Sequence, residues 1–103
     1  MTKTISLLGA TGSIGRQTLA VAQELGLPVA ALTANRQVDL LEQQARQYKP
    51  RLAVLYDPAA AKELRGRLQG TGIEVMEGPE GLITAATLPE ADTVVTAVMG
   101  SVG

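Results

Sequence analysis

Three glycines at intervals of three, in the run Gly9-Ala10-Thr11-Gly12-Ser13-Ile14-Gly15, form the part of this chain whose residue types and spacing point most directly to chemistry. Gly9 permits a tight exit from a preceding strand, Gly12 lets a phosphate approach the backbone with no Cβ in the way, and Gly15 lets the following helix pack closely. The free N–H groups of that helix's first turn point toward a bound anion, and the helix dipole adds partial positive charge there. The hydroxyls of Thr11 and Ser13 can add hydrogen bonds. A loop built to hydrolyse nucleoside triphosphates would need G-x-x-x-x-G-K-[ST], and no lysine stands in this one. The spacing therefore points to the pyrophosphate of a dinucleotide.

A second group decides which dinucleotide. An acid about 20 residues beyond the glycines binds the ribose 2′-hydroxyl in NAD-selective domains. Here that count arrives at Asn35-Arg36-Gln37, two amides flanking a guanidinium. A guanidinium meets a 2′-phosphate with a forked pair of charge-assisted hydrogen bonds, whereas a carboxylate would repel it. NADPH is the expected ligand. Asp39, the nearby acid, is expected in the first turn of a helix, where it complements the dipole.

What the chain lacks is as informative. With no His and no Cys, it holds no thiolate nucleophile, no disulfide and no Ser-His-Asp or Cys-His constellation of its own. Nine Lys plus Arg against ten Asp plus Glu leave a net charge of −1, which supplies no general attraction to nucleic acid or anionic lipid. Glu74, Glu77, Glu80, Glu90 and Asp92 match no metal-ligand spacing and are expected on a short strand, turns and a helix start. Lys62, Arg65 and Arg67 read as a solvated helix face. Tyr48 and Tyr56 are too few and too dispersed to form a base-stacking platform for a nucleic-acid strand.

The elements that must position these groups alternate. Thr4 to Leu8, Val29 to Thr33, Leu52 to Tyr56, Ile73 to Met76 and Asp92 to Met99 are short apolar runs that read as buried strands. Between them, a helix from Ser13 is stopped by Gly26, another spans Val38 to Tyr48, a third begins at Pro58 behind an Asp57 cap and reaches about Leu68, and a short one covers Pro79 to Thr87. In the first helix, Ile14, Leu19, Val21, Ala22 and Leu25 form the apolar stripe. This pattern predicts an α/β fold, a Rossmann-type three-layer sandwich with a mostly parallel sheet of about five strands, in one domain over residues 1–103. Its ligand would lie at the carboxyl ends of the strands, in the loops after the first, second and fifth. No apolar run approaches the ~20 residues of a membrane span, and no signal-peptide pattern opens the chain, so the expected location is cytoplasmic, or stromal for a plastid protein.

The order and spacing of four segments resemble those of 1-deoxy-D-xylulose 5-phosphate reductoisomerases. They are the glycine loop behind Ile5-Ser6-Leu7-Leu8, the run Leu32 to Val38, Lys49-Pro50-Arg51-Leu52-Ala53-Val54, and Val95 to Gly103. The resemblance covers essentially the whole chain and implies that Thr11, Gly12, Ser13 and Ile14 surround the NADPH pyrophosphate and that Asn35, Arg36 and Gln37 surround the adenosine ribose phosphate. It also implies that Ala97, Val98 and Met99, with Gly100, line the nicotinamide half. Family members often carry Gly-Lys-Asn where this chain has Asn35-Arg36-Gln37, so the backbone contact at Asn35 departs from the pattern. For the intact enzyme the resemblance implies a Mg2+ or Mn2+ ion whose ligands lie beyond residue 103, a sugar-phosphate substrate and a homodimer, with no nucleic acid and no membrane as partner. Other NAD(P)-dependent dehydrogenases share the glycine loop, and a non-catalytic dinucleotide-binding or sensory module is compatible with the length. The pairing of Asn35-Arg36-Gln37 with Gly100-Ser101-Val102-Gly103 favours the reductoisomerase.

Overall fold

A computed structural model describes residues 3–97, which fold into alternating strands and helices. In chain order they are β1 (Ile5–Leu8), α1 (Ser13–Leu25), β2 (Val29–Ala34), α2 (Val38–Tyr48), β3 (Leu52–Leu55), α3 (Pro58–Arg67), β4 (Glu74–Glu77), α4 (Gly78–Ala86) and β5 (Thr93–Thr96). Every expected element is present, with ends displaced by a residue or two. The largest difference is the fifth strand, which spans Thr93–Thr96 rather than starting at Asp92; its expected end at Val98 and Met99 lies outside the described residues.

The five strands form one sheet in the order β4-β3-β2-β1-β5. Each neighbouring pair is parallel, so the sheet is wholly rather than mostly parallel among the described residues. From β1 to β4 the chain steps in one direction, and right-handed crossovers therefore place α1, α2 and α3 on one face. The return from β4 to β5 carries α4 across the other face, where it packs on β3, β1, β4 and β2. Two apolar clusters result. The larger joins Leu7, Leu32 and Leu55 of the sheet to Leu19, Leu41 and Leu64 of the three helices. The smaller sets Ala31, Leu52 and Val54 against Ala85, with Leu82 and Leu8 at its margin. Fully burying each such leucine contributes roughly 1.5–3 kcal/mol.

The helical stripe of α1 is narrower than its sequence suggests. Gly15, Leu19 and Ala22 are buried, while Ile14, Val21 and Leu25 face outward. Positions 15, 19 and 22 follow the i, i+4, i+7 row that meets the sheet, and the other three lie to either side of it. Gly26, at φ 70°, then stops the helix in a left-handed turn, with Leu27 N–H donating to Ala22 at 2.8 Å.

Arg67 is not part of a merely solvated face. Only about a third exposed, it donates to Asp39 at 2.6 Å, to Glu42 at 3.1 Å and to Glu63, tying α3 to α2. Arg46 adds a 3.0 Å bond to Glu42 and a 2.8 Å bond to the Arg67 carbonyl. Hydrogen bonding first by Arg46 and then by Arg67 holds the Glu42 carboxyl below the usual carboxylate range.

The start of α3 follows the expected cap. Asp57 accepts from Ala60 N–H at 3.0 Å, and Pro58 occupies the first helical position, where its missing N–H costs nothing. Asp57→Ala is expected to lower stability by about 1 kcal/mol, or roughly 4–8 °C in melting temperature for a domain of this size. Urea and thermal unfolding followed by circular dichroism measure it, and an unchanged midpoint would show that the cap carries no energy.

Candidate functional site

The order in which strands are added reverses at β1, which lies between β2 and β5, and the glycine loop leaves the carboxyl end of this strand. In open α/β sheets this switch point opens a crevice. Gly9 turns out of the strand at φ 89°, a left-handed conformation that side chains rarely adopt. The loop is then anchored to β2. Gly9 N–H donates to both the carbonyl and the Oγ1 of Thr33, at 3.1 and 3.0 Å, and Ala10 N–H donates to the same carbonyl at 2.7 Å. From α2, the buried Gln44 amide donates to the Ala10 carbonyl at 2.9 Å.

Gly15 closes the arrangement by close approach. A Cβ at this position would lie 2.1 Å from the Gly9 carbonyl oxygen and 2.8 Å from Ala10 backbone atoms, so only glycine lets α1 sit against the loop. The contact is with the loop backbone more than with the sheet. Gly12 is the opposite case: its Cβ would meet nothing within 4 Å.

That open space lies at an open helix end. Gly12 precedes α1 with φ −78° and ψ 174°, its side chain offers no cap, and no acid stands in the first turn. The first intrahelical bond runs from Arg16 N–H to the Gly12 carbonyl at 2.9 Å, which leaves the amides of Ser13, Ile14 and Gly15 without a helical acceptor. In α3 the same need is met by Asp57. In α1 no side chain meets it, and the helix dipole makes this end favourable for an anion.

A groove of about 530 Å³ runs along the carboxyl edge of the sheet, lined by Gly9, Thr11, Gly12, Thr33, Ala34, Asn35, Tyr56, Leu82 and Ala97. It brings together Gly9, Thr11, Gly12, Asn35 and Ala97 of the expected site. Ser13 and Ile14 follow at the exposed start of α1, and Arg36 and Gln37 are exposed just past Asn35, beside the groove rather than in its wall. Val98 and Met99 lie outside the described residues. Asp39 stands in the first turn of α2 as expected, with its carboxylate engaged by Arg67 rather than offered to a ribose. No ion pair engages Arg36 among the described residues.

Several residues of the site escape a motif search. Thr33 and Gln44 hold the loop from beneath, and Tyr56 and Leu82 form the apolar end of the groove. Gln44 left a signal, since it falls three residues after Leu41 on the buried row of α2, where an amide needs a partner. Tyr56 and Leu82 left none, because their place in the groove depends on strand order. Among the described residues no group of three or more Asp, Glu, His or Cys is placed to hold a metal ion.

The family model for 1-deoxy-D-xylulose 5-phosphate reductoisomerase matches residues 5–103. The chain belongs to this family. The reductoisomerase of Ruminiclostridium cellulolyticum is 52% identical over 103 residues, covering 100% of this chain and 27% of the relative. That of Halothermothrix orenii is 48% identical over 105 residues, with 100% and 27% covered. The solved reductoisomerase from Zymomonas mobilis in complex with NADPH superposes with a TM-score of 0.89 at 36% identity, over 97% of this chain and 27% of that one. A reductoisomerase in complex with NADPH, fosmidomycin and magnesium superposes with a TM-score of 0.85 at 33% identity, over 93% and 24%. The chain thus spans about a quarter of the length of the reductoisomerases it matches.

The two glycines make a paired prediction. Gly15→Ala forces a Cβ into the loop backbone and is expected to destabilise the fold by about 1–3 kcal/mol. Gly12→Val, at dihedral angles that a branched residue adopts freely and with open space around it, is expected to unfold within about 0.5 kcal/mol of the parent. Denaturant titration of both variants is the check, and equal destabilisation would contradict the contrast between the packed and the open glycine.

Proposed function

We propose that this chain is the NADPH-binding unit, residues 1–103, of a 1-deoxy-D-xylulose 5-phosphate reductoisomerase. The intact enzyme rearranges 1-deoxy-D-xylulose 5-phosphate and reduces the product to 2-C-methyl-D-erythritol 4-phosphate. Family membership supports the reading, and so do the relatives solved with NADPH. The observation that carries it is the uncapped amino end of α1, held open over the groove by a loop locked to Thr33. The residues fit the cofactor: Gly12 leaves its Cβ space empty where a pyrophosphate would lie.

When bound, NADPH supplies the hydride for the reduction. Thr11, Gly12, Ser13 and Ile14 receive the pyrophosphate through backbone amides and hydroxyls. Asn35, Arg36 and Gln37 receive the 2′-phosphate, and Ala97, Val98 and Met99 flank the nicotinamide half. The engagement of Asp39 by Arg67 supports this selectivity, because it occupies the acid two residues beyond Gln37. The divalent ion, the sugar phosphate and the second subunit of a homodimer belong to the rest of the enzyme, which would work in the cytoplasm or a plastid stroma.

NADPH is expected to bind roughly ten- to hundredfold more tightly than NADH, as one charge-assisted contact of ~1.5–3 kcal/mol implies. Arg36→Asp is expected to erase the preference, and Gly12→Val to abolish binding of both cofactors. Calorimetric titration decides it; equal affinities in the parent would remove the role given to Arg36, and undiminished binding by Gly12→Val would remove that of the loop.

The 103-residue chain alone is expected not to turn over 1-deoxy-D-xylulose 5-phosphate with Mg2+ or Mn2+ present. A hydride donor with no aligned acceptor forfeits much of a proximity effect of ~7–11 kcal/mol. NADPH oxidation followed at 340 nm, against a full-length reductoisomerase, provides the measurement, and turnover at a comparable rate would place the chemistry within this chain.

A further inference from the structure

We infer that Tyr56 is the stacking wall for the adenine ring, with Leu82 beside it, and so determines how tightly the adenosine half of the cofactor is held. The inference rests on the dinucleotide reading above and assigns one of its ends to a side chain.

Strand order sets the direction. The carboxyl ends of β3, β2, β1 and β5 stand in a row, about 4.8 Å apart in each step. With the pyrophosphate over the loop after β1 and the 2′-phosphate at Asn35 after β2, the adenosine half runs toward β3. The nicotinamide half then runs toward Ala97 at the end of β5. Adenine is joined to the ribose at the carbon next to the 2′ position, so the base lies within one strand spacing of Asn35.

Tyr56 stands there. Its N–H donates to the Ala34 carbonyl at 3.0 Å, and the next residue, Asp57, donates to the Asn35 carbonyl at 3.0 Å, which fixes Tyr56 beside the ribose contact. Among the described residues Tyr56 provides the only aromatic ring in the groove lining, and it is 49% exposed. With Ala34 and Leu82 it makes this end apolar. A purine is uncharged, flat and polarisable, and a half-exposed tyrosine ring supplies the face it stacks on. One tyrosine cannot make a platform for a strand of bases, but it serves for one base. The other tyrosine, Tyr48, lies away from the groove with its hydroxyl 3.2 Å from the Gln23 side chain.

The chain has no Trp and two Tyr, so Tyr48→Phe leaves Tyr56 as its only strong fluorophore. In that background, adenosine 2′,5′-bisphosphate is expected to quench the emission saturably, at concentrations matching its calorimetric affinity, whereas nicotinamide mononucleotide leaves the emission unchanged. Tyr56→Ala is expected to weaken adenosine 2′,5′-bisphosphate roughly 5- to 100-fold, and Tyr56→Phe to keep affinity within about twofold. Circular dichroism of both variants should match the parent, since the ring is half exposed. Parent-like affinity in Tyr56→Ala, or binding without quenching, would overturn the assignment to Tyr56 and leave the dinucleotide reading standing. A parent chain that binds neither the bisphosphate nor NADPH would overturn both.

Discussion

Most of the site hangs from one residue. Thr33, at 2% exposure near the end of β2, accepts from Gly9 through both its carbonyl and its hydroxyl, and from Ala10 through the carbonyl. Two N–H donors, that of Gly9 shared between two acceptors and each contributing about 1 kcal/mol net, hold a turn that would otherwise have little reason to keep one shape. Their bonds also use up the amides of Gly9 and Ala10, so that the amides left free lie further along, toward the exposed start of α1. Gln44 secures the loop from the other helix, its buried side-chain amide donating to the Ala10 carbonyl at 2.9 Å.

The charges divide into those spent on the fold and those left for a ligand. Arg67 gathers Asp39, Glu42 and Glu63, and Arg46 shares Glu42. The carboxylates of the α2–α3 flank are thereby neutralised close to where the 2′-phosphate would lie. Arg36, exposed at the turn between β2 and α2, takes no part in this network. An anion approaching the end of β2 thus meets a free guanidinium and an acid already occupied, and the short-range Coulomb balance there favours negative charge.

The fold was largely legible because it rests on patterns of short range. Apolar runs the length of one strand, the Gly26 stop, and the Asp57-Pro58 cap each declare themselves within a few residues, and all appear where their chemistry puts them. The glycine loop was legible for the same reason, and its three positions have distinct surroundings: a left-handed turn, an open space and a close approach. Legibility failed where long-range packing decides. Val21 and Leu25 read as core residues of α1, yet face outward because the sheet meets a narrower row of that helix. Lys62, Arg65 and Arg67 looked alike along the chain; the position of α2 singles out Arg67, and the position of β4 gives Arg65 the Val75 carbonyl at 3.0 Å. Tyr56 and Leu82 meet across the groove because β3 and α4 converge there, which depends on the order in which the strands were laid down.

The attachment of the glycine loop to Thr33 has a further consequence. Asn35 lies two residues beyond Thr33 on the same length of backbone, so the turn proposed for the pyrophosphate and the turn proposed for the ribose phosphate are tied to one segment. The domain acts as a ruler, with its two marks cut into one rigid bar. If the first turn takes the pyrophosphate and the second the 2′-phosphate, as proposed, a ligand carrying both groups at that spacing registers on both marks at once, while one that lacks the 2′-phosphate touches one and gains nothing from the other. Selection by the spacing of charges would then accompany selection by charge, and it needs no moving part.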